Sequence, residues 1–339
     1  MEGELPDWAK IGPIIFREDR MSNVSAHADH VYASAGMKSA AATSPIVASW
    51  KRCMTMYKLA PEENRKPFFL TEKEFLRARE ASAPLIAESA DELDRIFASV
   101  GKAGCCLLLT DASGVALERR GAVGDDAEFR DLGLWSGAMW SEASVGTNGI
   151  GTALADERAV VVYRDQHFFS ANTGLSCTTA PIRDHMGRLT GAIDISTCRA
   201  DMEEMTFSII TQAVRDASQR IEANLFRRAF QGARFIMVPV GSSSALSLLA
   251  VDQDDLVIGA TRGARLALKL DDALLAAGLP AADALNEHYR EAGADLMEAE
   301  RAALRRALSR SNGNVTHAAQ LLGISRATLH RKMNRLKIH

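Results

Sequence analysis

The sequence predicts an α+β architecture, an antiparallel sheet flanked by helices, followed by a small all-α unit towards the C-terminal end. Three observations predict it. Short apolar runs at Cys105–Thr110, Val160–Tyr163, Thr178–Ile182 and Leu189–Ser196 have the length of buried strands. Two turn sequences, Asp111-Ala112-Ser113-Gly114 and Asp184-His185-Met186-Gly187, separate such runs, the first leading into Val115–Arg120, so neighbouring strands should pair as hairpins. Around the strands, and from Glu291 onward, apolar residues recur instead at helical spacing.

Residues 1–43 carry little pattern and are expected to form a flexible arm. His27 and His30 are spaced as HxxH there, but two imidazoles in a polar tail are a solvated pair by default. Order is expected from Ser44, an N-cap with Pro45 at the first helical position. Ile46, Val47, Trp50, Cys53, Met54 and Tyr57 make one apolar face of that helix. Thr71-Glu72-Lys73-Glu74 is a capping box opening a second helix. Pro84 starts a third, with Leu85, Ile86, Leu93, Ile96, Phe97 and Val100 inward.

Within the sheet region, Asn148–Ala155 and His167–Ala171 read as short helices, and a long helix follows Asp201 to about Arg228. The glycines of Gly146-Thr147-Asn148-Gly149-Ile150-Gly151 do not fit GxGxxG, so a tight loop entering a short helix is expected rather than a dinucleotide site. Gly241-Ser242-Ser243-Ser244 reads as a linker. A third unit, 241–290, follows, with strand-like Ala245–Val251, a turn at Asp252–Asp255, Val257-Ile258, and a helix Arg262–Leu268.

The last unit, 291–339, opens with a helix to Arg310 whose apolar edge is Leu296, Ala299, Ala303, Leu304, Ala307 and Leu308. Asn314 caps the next, with Val315, Ala318, Ala319 and Leu322 as its stripe, and Gly323 ends it. Ile324 fills the angle and Ser325 caps a final helix, Arg326–Lys337, with Leu329, Met333 and Leu336 inward. This is a helix-turn-helix pattern. Its last helix carries Arg326, Arg331, Lys332, Arg335 and Lys337 and no acid, which suits the DNA major groove. Ser325, Arg326, Thr328, His330 and Arg331 are the candidates to reach bases or nearby phosphates; Lys332, Arg335 and Lys337 are candidate phosphate contacts, giving affinity more than sequence choice. The plainer alternative is a solvated basic face on a structural hairpin.

Charge agrees with this division. From Glu291 onward there are nine Lys/Arg against four Asp/Glu, and before it 31 against 39. A basic end on an acidic body points to nucleic acid at one end only. No apolar run approaches the ~20 residues of a membrane helix, and no secretory signal opens the chain, so a cytoplasmic, nucleoid-associated protein is expected. Five cysteines, an odd number without CxxC, fit a reducing compartment; the adjacent Cys105 and Cys106 should point to opposite faces of a strand and not pair.

The run Gly323-Ile324-Ser325-Arg326-Ala327-Thr328-Leu329-His330-Arg331-Lys332 resembles the Fis family of C-terminal DNA-binding domains, with His330 where Tyr is usual. Residues 44–228 resemble the GAF sensory domain of AcoR-like catabolic regulators. That resemblance rests on Ser49-Trp50-Lys51-Arg52-Cys53, on Trp140–Leu154, and on Cys177-Thr178-Thr179-Ala180-Pro181-Ile182 with Gly191-Ala192-Ile193-Asp194-Ile195-Ser196. The unit 241–290 resembles the start of a PAS domain. Regulators of this kind commonly carry an AAA+ ATPase that acts on the nitrogen-type sigma factor. Neither its GxxxxGK[ST] loop nor a GAFTGA loop occurs in this sequence.

The resemblance implies a ligand-responsive, sequence-specific transcriptional regulator of a catabolic operon, acting without ATP hydrolysis. It implies a small-molecule effector and no fixed cofactor or metal. A dimer on double-stranded DNA with a palindromic operator is expected, with RNA polymerase as a further partner. It places a pocket near Trp135, Met139, Trp140, His167, Phe168, Phe169, Asn172 and Cys177, for which core packing is the competing reading. Two alternatives stand beside it. One is a thiol-based reductase of GAF type with Cys177 attacking and Cys198 resolving; the other is a nucleoid-binding protein with an inert GAF fold.

Overall fold

In the computed structural model the residues described are 25–37, 44–63, 65–200, 202, 204–238, 247–285 and 296–338. They fall into two units, divided between Gly278 and Leu279.

In the first unit the chain opens with helix α1 (25–36). Part of the expected flexible arm is therefore ordered. Ala28, Val31 and Ala35 are buried at spacings of three and four, and Val31 joins the core. Two of the three are alanines, too small to stand out as a stripe. The rest of 1–43 lies outside the described residues.

Three expected helices follow: α2 (Pro45–Thr55), α3 (Glu72–Ala81) and α4 (Ala83–Val100). The first two start as predicted, since the Ser44 hydroxyl accepts from Val47 and Thr71 and Glu74 form the capping box, and the third starts at Ala83, one residue before the predicted Pro84. The sheet has β1 (Cys105–Asp111), β2 (Ala116–Arg120), β3 (Val160–Tyr163), β4 (Ser176–Arg183) and β5 (Leu189–Thr197) in the order β2-β1-β5-β4-β3. Every neighbouring pair is antiparallel. Both predicted turns are tied by an aspartate: Asp111 accepts from the amides of Ser113 and Val115, Asp184 from those of Met186 and Arg188.

Connections across the sheet carry α5 (Asp126–Asp131), α6 (Glu142–Val145) and α7 (Gly149–Asp156), and α8 (Glu204–Ala229) follows β5. The expected helix His167–Ala171 does not form. Two 3₁₀ turns, Arg164–Gln166 and Ser170–Asn172, flank an extended His167. The Arg164 carbonyl accepts from both the amide and the ring Nδ1 of His167, which closes the first turn and leaves His167 extended as its C-cap.

Period two divides the sheet into two faces. Leu107, Leu109, Ile193 and Ile195 join Leu85, Leu93 and Ile96 of α4 and Ile210, Val214 and Ile221 of α8. Cys106, Leu108 and Cys177 point the other way, with Val31, Trp50, Trp140, Ile150 and Phe168.

Beyond α8 a second antiparallel sheet has β6 (Arg234–Met237), β7 (Leu248–Val251) and β8 (Val257–Ala260), then α9 (Arg262–Leu268) and α10 (Asp272–Ala276). Ala223 and Phe226 at the end of α8 pack on Leu248 and Ala250. This unit thus begins before residue 241, because β6 pairs with β7. The Gly241–Ser244 linker lies outside the described residues.

The second unit contains α11 (Ala281–Ala284), α12 (Leu296–Arg310), α13 (Val315–Leu321) and α14 (Arg326–Arg335). Leu304, Ala307, Ala318, Ala319, Leu329 and Leu336 form its core, with Val315, Leu322, Ile324 and Met333 against it. Asn314 accepts from Thr316 and His317, Gly323 adopts φ +63°, and Ser325 accepts from Thr328. Leu296 is 82% exposed and does not share the apolar edge of α12. The last helix ends at Arg335, two residues short of the expected end. No helix among the described residues is long and apolar enough to cross a membrane.

Candidate functional site

The sensory-type unit buries ionisable groups on one face of its sheet. The first cluster joins α2 to α6, the loop after it and the end of α7. Arg52 forms a two-pronged pair with Glu142, its Nε 2.6 Å from Oε2 and its Nη2 2.7 Å from Oε1, and reaches Asp156 at 3.1 Å. The Ser49 hydroxyl donates to Glu142 Oε1 at 2.6 Å and lies 2.7 Å from Thr147 Oγ1. Glu142 is 2% exposed. A buried carboxylate with this fork and hydroxyl is compensated, and it holds the Arg52 guanidinium charged.

The second cluster lies on β4 and β5. Asp194 is 1% exposed; Thr179 donates to one of its oxygens and Ser196 to the other, at 2.5 and 2.6 Å. No cation pairs with it among the described residues. Burial pushes its carboxyl up to about 6, against the pull of the two hydroxyls. Cys177 Sγ is 3.1 Å from Ser196 Oγ and 3.4 Å from His167 Nε2. Burial and the neighbouring Asp194 raise its thiol well above the usual cysteine range. Burial also drives His167 down to about 4, so the imidazole is neutral, its Nδ1 on the Arg164 carbonyl at 2.9 Å.

Helix α7 roofs this cluster. Asn148 caps it, accepting from Gly151, as the expected loop-into-helix requires. A Cβ at Gly149 would lie 2.5 Å from Thr179 Oγ1, 2.7 Å from Cys177 Cβ and 2.9 Å from Asp194 Oδ1. Glycine is needed there for close approach to the polar seam, not for holding a phosphate.

The expected pocket residues are divided by the structure. His167, Phe168, Phe169 and Cys177 come together, and Trp140 shares their apolar cluster with its indole N–H on the Gly133 carbonyl. Asn172 is buried, and its side-chain amide nitrogen has no hydrogen-bond partner among the described residues. Trp135 stands apart at the edge, 4.2 Å from both the Arg119 and the Arg130 guanidinium. Met139 packs with the opposite cluster, because it sits one residue out of phase with Trp140 beside Val115. Sequence reasoning passed over Glu142, Arg52, Thr179, Asp194 and Ser196 as site residues. The available signal was polar side chains inside otherwise apolar runs. His27 is explained as well: its Nε2 reaches the carbonyls of His167 and Phe168 at 3.0 and 3.3 Å, and His30 stands edge-on to Trp50. Among the described residues no three His, Cys, Asp or Glu side chains are placed to hold a metal.

In the helix-turn-helix the eight candidate residues also separate. The Ser325 and Thr328 hydroxyls lie 2.9 Å apart and Ser325 caps the helix, so both are engaged locally. Lys332 and Arg335 both pair with Glu300 of α12. Arg326, His330, Arg331 and Lys337 are exposed, and none forms an ion pair with a described residue.

Residues 23–222 match the family of the MimR N-terminal domain. The chain belongs to this family. Residues 296–336 match the Fis family of bacterial regulatory proteins, which agrees with the packed helix-turn-helix. Among curated proteins, the MimR-family chain is 30% identical over 245 residues to the acetoin catabolism regulatory protein of Cupriavidus necator, covering 71% of this chain and 36% of that one. It is 30% identical over 190 residues to the propane 2-monooxygenase operon transcriptional activator MimR of Mycolicibacterium smegmatis, covering 55% and 30%. The chain therefore spans about a third of the length of the curated relatives it matches. Among solved structures, the E. coli DhaR(N)–DhaL complex is 19% identical with a TM-score of 0.48, over 67% of this chain and 77% of that one.

Four stretches of this MimR-type domain, far apart in the sequence, come together in the fold. Ser49 and Arg52 meet Glu142 and Thr147, while Gly149 lies on Cys177, Thr179 and Asp194. The conspicuous runs meet around one buried polar seam.

Proposed function

We propose that this chain is an effector-responsive, sequence-specific DNA-binding regulator of a catabolic operon, working in the bacterial cytoplasm without ATP hydrolysis of its own. The observation that carries the reading is the recognition-type helix α14, whose Arg326, His330 and Arg331 are exposed on a well-packed helix-turn-helix. Arg326 and Arg331 are proposed to contact bases or adjoining phosphates, and Lys337 phosphate. Lys332 and Arg335 contribute less, since Glu300 already offsets their charge. A homodimer on a palindromic operator supplies the footprint one small domain lacks. RNA polymerase is the proposed downstream partner, and residues from β6 to α10 serve as a PAS-like connector.

The effector is proposed to bind on the polar face of the sheet. Asp194, Ser196, Thr179 and Cys177 offer hydrogen bonds there, between the aromatic walls of Trp140 and Phe168. A small, partly apolar metabolite bearing hydroxyl or carbonyl groups fits that chemistry. Regulation then requires that the effector bind one DNA-binding arrangement better than the other.

The reductase reading is the weaker one. An attacking thiol needs thiolate character, whereas Cys177 is buried beside a carboxylate and Cys198 is pushed up to about 12 by burial and Glu128.

The deciding experiment is fluorescence anisotropy of the full chain on DNA from its own upstream region, with and without candidate metabolites. Arg331→Ala should lower affinity for the preferred site by about 1–3 kcal/mol and narrow its preference over random DNA. Equal binding to all DNA, unchanged by Arg331→Ala, would overturn the reading.

A further inference from the structure

A cleft of about 610 Å³ opens away from the polar seam, between β4, α8 and α9. Four arginines line it, Arg158, Arg183, Arg215 and Arg262, with two acids, Glu157 and Glu222. Two of the arginines are already engaged. Arg183 is 9% exposed at its side chain and holds the Glu157 carboxylate at 2.8 Å, and Arg158 holds Asp156 at 2.9 Å. The other two, Arg215 on α8 and Arg262 at the start of α9, are exposed and form no ion pair with a described residue. Burial pushes the Glu222 carboxyl up to about 7, while its oxygen accepts the Arg183 amide at 2.8 Å. A carboxyl titrating there is only partly ionised at neutral pH, so it offsets part and not all of the arginine charge.

We propose that this cleft is a second small-molecule site, taking a compact polyanion that carries phosphate or several carboxylates, gripped by Arg215 from one wall and Arg262 from the other. Its volume lies within the range of small-ligand sites, and paired guanidinium forks match both oxyanion chemistries. The site differs from the proposed effector seam in position and in charge. It joins the long sensor helix to the small sheet unit, so its occupant clamps α9 onto α8.

Calorimetric titration of the full chain at constant ionic strength tests this, with inorganic pyrophosphate as the phosphate probe and citrate as the carboxylate probe. Saturable one-to-one binding of at least one probe is expected, weakened tenfold or more in the R215Q/R262Q double variant. Both substituted side chains are exposed, so an unchanged thermal melt without anion will separate lost binding from lost folding. Preference for pyrophosphate or for citrate assigns the oxyanion. The absence of saturable binding by either probe overturns the site. So does binding that persists in R215Q/R262Q, or binding abolished instead by R326Q/R331Q, which would place the anion on α14.

Discussion

The two faces of the five-stranded sheet are buried to the same depth by opposite means. Against α4 and α8 the contacts are mostly aliphatic, the buried hydroxyls include Ser89, Thr178 and Ser218, and the ionisable Arg183 and Glu222 sit together where the cleft opens. Against α2 and α7 the sheet buries Glu142, Asp194 and His167. The aliphatic face lowers free energy by removing apolar surface from water. The polar face recovers less, because each charge must be desolvated before it is paired. Perturbed, buried ionisable groups cluster at functional sites, and this difference is why the polar face is the candidate site.

The largest expected effect comes from unpairing the first cluster. Glu142→Ala removes the acceptor that Ser49 and Arg52 share, leaving the half-buried Arg52 with Asp156 alone and opening a gap where the buried carboxylate lay. A loss of about 3–5 kcal/mol in urea unfolding is expected, partly recovered in the Arg52→Ala/Glu142→Ala double variant. A loss below about 1 kcal/mol would put the pair in the class of ordinary surface ion pairs and break the comparison.

Asp194 gives the next effect and a distinctive sign. Its folded carboxyl sits near 6, above the ordinary 3.8, and burial is the main cause. The native state thus holds its proton where the unfolded chain has released it. Stability from this group is fully present below about pH 4, falls as pH rises to about 6, and is level above that, by roughly 3 kcal/mol in all. Asp194→Asn should remove that decline from pH-dependent unfolding curves, and with it the response to effector. An unchanged curve would mean that Asp194 is solvated in solution.

Gly149→Ala should cost about 1–3 kcal/mol, as overpacking in a closed interior does. The added methyl meets Thr179 and Asp194 oxygens at under 3 Å, so α7 must lift from the seam. Effector affinity should fall more than stability does. Equal losses would mark the contact as packing alone.

Much of this was legible in the residues. The strands, their Asp-led turns, the capped helices and the helix-turn-helix each have a local cause: Thr71, Asp111, Asn314 and Ser325 act on neighbours within four residues. Helix α1 was hidden because alanines carry two of its three buried positions. The site was half visible. His167, Phe168 and Cys177 do meet, but Met139 faces the other cluster and Trp135 the edge, since strand phase decides between faces and one residue reverses it. Glu142 and Arg52 lie 90 positions apart, and only the fold makes them partners. The same holds for Glu300 with Lys332 and Arg335, which turns two candidate phosphate contacts into an internal tie.

The smallest expected effect sharpens the comparison most, because it separates stability from response. Ile193 is fully buried beside Asp194 in sequence but points to the aliphatic face. Ile193→Val removes one methylene and leaves a small gap against that cluster, a loss of about 0.5–1.5 kcal/mol. No hydrogen bond, charge or pKa changes with it. If the two faces divide as proposed, this variant unfolds slightly earlier in urea while its effector titration, corrected for folded fraction, overlays the parent. Asp194→Asn, one residue away, should do the reverse, losing the effector response while keeping its fold at neutral pH. Parallel losses in both variants would show that the sheet transmits effector binding as one body, and that neither face alone is the site.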